Sequence, residues 1–140
     1  MSELQCGTYK FPAFSGLGDY VNKRMAVCKE GGGAIPLAAY FIIDRQFGGL
    51  LGPFRDTISG KRDWFSLLAD DGKIDDVTIC NRIICGQFRL HPKGTLGISR
   101  GCVVIDDANR FQLLRALLRT SAQRKTLCTS IMTYDRVVVI

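Results

Sequence analysis

Apolar residues recur along this chain in short clusters rather than in long amphipathic stretches. Ala39 to Ile43 is rich in β-forming residues and lies between Pro36 and Gly48-Gly49, which predicts a buried strand. Trp64 to Leu68 predicts a second strand, closed by the turn signal Asp70-Asp71-Gly72. From Val77 to Leu90 the apolar positions Val77, Ile79, Ile83, Ile84, Phe88 and Leu90 are interrupted by Gly86, the pattern of a hairpin or a bulged strand pair. Val103-Val104-Ile105 and Val137 to Ile140 predict two further strands. Only one segment keeps a helical period: Phe111, Leu114, Leu117 and Leu118 share a face behind the N-cap candidates Asp106, Asp107 and Asn109. Lys10 to Gly18 mixes aromatic and small residues, Glu30 to Gly33 is a break, and Gly48 to Lys61 reads as loop. Many short strands with one helix predict a mainly β fold, a sandwich or open barrel with a helix from the C-terminal half packed against it.

Length and composition narrow the class. A chain of 140 residues fits one domain, 1–140, and at that size buries roughly two-thirds of its unfolded surface. No repeat or linker divides it. Hydrophobic residues make up 46% and charged residues 23%, which excludes the disordered class. No run approaches the roughly 20 apolar residues of a bilayer-spanning helix, so no membrane insertion is expected. Met1 to Gly18 lacks the charged start and apolar run of a leader, so no signal peptide is expected either. The net charge of +6 suits an acidic partner. Its Lys and Arg residues are nevertheless scattered, without a basic stripe interleaved with aromatics, so nucleic acid is not expected as a partner. The six cysteines are irregularly spaced and include no C-x-x-C pair, and with one histidine in the chain no metal or other cofactor is expected.

That histidine, His91, stands eleven residues before Cys102. Leu90-His91 closes one predicted strand and Cys102-Val103 opens the next, across a loop containing Gly94 and Gly97. An antiparallel pairing through this loop would bring imidazole and thiol to one rim of the sheet. The residue types suit acyl transfer. An imidazole converts a thiol to the attacking thiolate, and Gly101 permits a sharp turn from which the N–H groups of Gly101 and Cys102 face a developing oxyanion. Pro92 fixes the backbone after the base, so that a backbone carbonyl rather than a carboxylate would orient the ring. The pattern alone leaves a second reading open, with Cys102 a packed strand residue and His91 a surface residue beside a proline turn. Trp64 is expected in the core rather than as a binding platform.

The run from His91 to Val103, with its Ser99-Arg100-Gly101-Cys102, resembles the His…Ser-x-Gly-Cys signature of the L,D-transpeptidases with YkuD-type catalytic domains. A wider similarity is to a compact branch of that superfamily, the type VI secretion L,D-transpeptidase effectors. It is carried by Phe11-Pro12-Ala13-Phe14-Ser15-Gly16, by Ile35-Pro36 with the strand from Tyr40 to Arg45, and by Gly86 to Pro92. Two positions depart from the pattern: Arg100 stands where larger transpeptidases have His, and Leu37-Ala38-Ala39 replaces the glycine that usually follows Ile-Pro.

The resemblance implies an L,D-transpeptidase-like domain in which Cys102 is acylated and His91 is its base, with Ser99 and Gly101 completing the catalytic loop. From residue type alone, Arg89 and Arg100 are candidates to contact stem carboxylates, or else solvated surface charges. It implies an antibacterial toxin that acts on peptidoglycan tetrapeptide stems as an L,D-carboxypeptidase and, with a D-amino acid acceptor, as an L,D-transpeptidase. Such a toxin would leave the producer's cytoplasm on a secretion-system carrier without a signal peptide, act in the target-cell periplasm, and travel with a cognate immunity protein. The competing readings are a cysteine endopeptidase or amidase of another wall bond, and a non-catalytic wall- or partner-binding module.

Overall fold

A computed structural model describes residues 2–27, 29, 31–44, 63–72, 77–80, 83–94, 101–125 and 131–140. The strands are β1 (Ser2–Cys6), β2 (Tyr9–Phe14), β3 (Ala39–Asp44), β4 (Phe65–Ala69), β5 (Val77–Cys80), β6 (Ile83–Gly86), β7 (Arg89–Pro92), β8 (Val103–Ile105), β9 (Arg124–Lys125), β10 (Met132–Thr133) and β11 (Asp135–Val138). One α-helix among the described residues, α1 (Ala108–Thr120), lies between β8 and β9. Seven strands form one sheet in the order β1-β2-β8-β7-β4-β3-β11, curled into a half-barrel. The mainly β class with a single packed helix is as expected. β5 and β6 form the expected hairpin as a separate two-stranded unit, and β9 with β10 form another.

Alternation along the strands decides what each face holds. Phe11, Ala13, Ile42, Phe65, Leu67, Leu90, Val103 and Ile105 all belong to one buried cluster, which the helix completes with Phe111, Leu114 and Leu118. The helix therefore seals one face of the curled sheet. Its start is fixed by Asp107, whose carboxylate accepts from Arg110 N at 2.8 Å. Residues of opposite parity, Ser66, Leu68, His91 and Val104, are also buried but stand outside that cluster, on the other face.

The pairing of β7 with β8 differs from the expected antiparallel arrangement. It is parallel, with Leu90 opposite Val103, His91 opposite Val104 and Pro92 opposite Ile105. Each strand's direction is set by its other neighbour: β8 runs antiparallel to β2, and β7 antiparallel to β4. A tight hairpin would satisfy the loop but not these two partners.

Candidate active site

His91 is carried by the central strand of the trio β8-β7-β4 and is only 5% exposed. It is thus a buried residue rather than one on an open loop rim. Its Nδ1 lies 2.8 Å from the carbonyl oxygen of Pro92. A carbonyl can only accept, so Nδ1 carries the proton and, in the neutral ring, Nε2 is left with the basic lone pair. A backbone group, not a carboxylate, therefore sets the tautomer.

Cys102 immediately precedes β8, is half-buried, and is not part of a disulfide. Extending the β7–β8 register by one residue sets Cys102 level with Arg89, two residues along from His91 and on the same face. With strands about 4.8 Å apart and a rise of about 3.3 Å per residue, that diagonal corresponds to roughly 8 Å between Cα atoms. Side chains of cysteine and histidine directed at each other close such a gap. The parallel register thus leaves the two positions within side-chain reach of each other.

Gly101 holds the turn before the nucleophile at φ +74°, where a side chain is disfavoured. A Cβ at this position would stand 3.0 Å from the Phe88 ring. Phe88, in turn, meets the Tyr40 ring edge-on at 5.8 Å, so the turn is seated on the core. The loop before Ile35 approaches from the other side, with Gly33 O at 4.0 Å from the same Cβ position. That loop is pinned by Ser15, whose Oγ accepts from Ile35 N at 2.8 Å.

Arg89 is half-buried and donates to Phe88 O at 2.7 Å. Ser99 and Arg100, together with Gly97, lie outside the described residues, so the expected contributions of that stretch stay as sequence expectations. Cys6, in β1, has its pKa raised by burial and by the nearby Asp135 carboxylate. It is held protonated near neutral pH. A cleft of about 890 Å³ opens on the opposite side of the sheet between β1 and β11, but neither His91 nor Cys102 lines it.

One neighbour of the base escapes sequence reasoning. Trp64, expected in the core, is only half-buried and lies flat against His91, with ring centroids 4.1 Å apart and planes 17° apart. The signal is in the strand pairing. Phe65 sits opposite Leu90, so one further step sets Trp64 opposite His91.

A family model described as the Tlde1 domain matches residues 9–129. No curated protein and no solved structure gives a significant match.

Proposed function

Because the chain belongs to the Tlde1 domain family, the type VI L,D-transpeptidase effectors, which are secreted and act on the peptidoglycan of target cells, we propose that it opens wall stem peptides through an acyl-enzyme on Cys102. What supports this reading is the β7–β8 register, which extended by one residue sets Cys102 on the face of His91, together with Pro92 O, which holds the imidazole so that Nε2 is the base.

His91 Nε2 takes the thiol proton, and the Cys102 thiolate attacks the carbonyl carbon between the third stem residue and the terminal D-alanine. The N–H groups of Gly101 and Cys102 receive the oxyanion. As the tetrahedral intermediate collapses, the C–N bond breaks and His91 returns the proton to the leaving D-alanine amine. Water then releases a tripeptide, or a free D-amino acid attacks the thioester and yields an exchanged tetrapeptide. Ser99 supports the loop, and Arg89 and Arg100 engage stem carboxylates. The unit is a single domain over residues 1–140 and needs neither metal nor organic cofactor for this chemistry.

The substrate also decides where the protein is harmful. Among the described residues no helix is long and apolar enough to cross a membrane. We assign its action to the target-cell periplasm, its export to a secretion-system carrier, and its neutralisation to a cognate immunity protein. Expressed in the bacterial cytoplasm the chain is expected to be harmless, and fused to a periplasmic export signal it is expected to lyse or round the cells. Equal toxicity in both compartments would count against a wall substrate.

A further inference from the structure

An indole lies flat against the base. Trp64 and His91 form a cross-strand pair, with rings 4.1 Å apart and nearly parallel at 17°. The strand order β8-β7-β4 sets the two sides of the imidazole apart, with Trp64 entering from the β4 side and Cys102 from the β8 side. The ring is therefore held at two places: its Nδ1 edge by Pro92 O and one face by the indole.

Resting on the acyl-transfer reading above, we propose that Trp64 is a positioning residue that keeps the His91 imidazole directed at Cys102 and stabilises the imidazolium formed when the thiol gives up its proton. Two physical effects follow from one contact. Stacking removes the rotational freedom of the imidazole about its bond to the backbone side, which keeps Nε2 in a single direction. The π face of an indole is also the best aromatic partner for a cation. Burial by itself disfavours a charged imidazole, and His91 is 5% exposed, so the indole face offsets a penalty that its surroundings impose.

Other charges border the pair. Arg89 shares the face of His91 on β7, and Lys93 follows it, engaged by Asp106 at 2.7 Å. Asp63, next to Trp64, is engaged by Arg115 at 3.0 Å. Cys102 and Asp106 are the titratable groups that flank β8. Asp106 and Asp63 are thus each engaged by a cation, and the indole adds a neutral source of stabilisation for the imidazolium.

The test compares Trp64→Phe, which keeps a π face, with Trp64→Leu, which keeps apolar volume without one. Each is measured for tetrapeptide cleavage and, without substrate, for alkylation of Cys102 by iodoacetamide across pH, followed by peptide mapping. Trp64→Leu is expected to lower kcat on the order of tenfold, leave KM nearly unchanged, and raise the pH midpoint of Cys102 alkylation by about one unit. Trp64→Phe should restore most of both. The sign follows from the pair: with the imidazolium less stable, the thiolate–imidazolium form appears only at higher pH.

Equal behaviour of the Leu and Phe variants, or wild-type kcat and midpoint in Trp64→Leu, would overturn the proposal. Alkylation reads the stack whatever bond is cut. A wild-type protein that fails to cleave stems while its alkylation midpoint still shifts in Trp64→Leu would sink the assigned reaction and keep the role of Trp64.

Discussion

Cys102→Ala is expected to abolish stem cleavage, by on the order of a thousandfold or more, without loss of the fold. The side chain precedes β8 and is half-buried, outside the cluster that the helix seals, so its truncation removes a nucleophile and little packing. For the base the choice of substitution matters more. His91 is buried, holds Pro92 O and lies under Trp64, so His91→Ala opens a gap and costs about 2 kcal/mol of stability in addition to its chemical effect. His91→Gln fills most of that volume and still removes the imidazole. A comparable loss of activity in Cys102→Ala and His91→Gln, with thermal unfolding of both near that of the wild type, separates catalysis from folding. Full cleavage by either protein would contradict the assignment.

The largest effect on stability is expected at a glycine that no catalytic argument reaches. A Cβ on Gly33 would press on Lys29 N and stand 2.5 Å from Ala26 O and 2.9 Å from Lys29 O. All three are backbone atoms. They cannot move aside, because Gly33 N donates to Lys29 O at 2.8 Å and Val27 is bridged to Ala34. Gly33→Ala should therefore cost about 3 kcal/mol, an overpacking penalty at the upper end of the usual range. For a domain of this size that corresponds to a fall of about 10 °C in Tm. Gly94→Ala is the matched control, since nothing among the described residues lies within 4 Å of its Cβ position. The same loop reaches the turn at Gly101, so a less stable Gly33→Ala protein should also lose activity before it unfolds globally.

Much of this arrangement is legible in local sequence patterns. The helix declared itself through Phe111, Leu114 and Leu118 and through its Asp107 cap, because both the period and the cap are local properties. The strands around Tyr40, Leu67 and Val104 are likewise visible as short β-forming runs, the last with the expected bounds and the first two with ends displaced by one residue. The N-terminal hairpin is not among the expected strands, although Leu4 and Cys6 alternate with the exposed Glu3 and Gln5, and Gly7 supplies a turn at φ +58°. Pro12 inside β2 argues against a strand on sequence grounds. In the fold its carbonyl is satisfied by Asp106 N at 3.0 Å.

The direction of β8 was not legible, for a different reason. Period-two alternation fixes which face a residue occupies but not whether its strand runs up or down. That direction depends on β2 and β4, which are distant in sequence. The same limitation hid Trp64. A single aromatic opening a predicted strand reads as core, and only the register between β4 and β7 shows that it faces the one histidine. His91 and Cys102, by contrast, are singled out by the one histidine, the Gly101-Cys102 pair and the family resemblance, and the parallel register sets their Cα atoms roughly 8 Å apart.

The acyl-enzyme reading is tested most directly by product analysis with a defined substrate. Purified disaccharide-tetrapeptide, incubated with the protein alone, should release D-alanine and leave a tripeptide. With excess D-methionine present, mass spectrometry should also find a tetrapeptide carrying methionine in the fourth position, because both acceptors compete for one thioester on Cys102. Cleavage between sugar and peptide, or between the second and third stem residues, would contradict the reading.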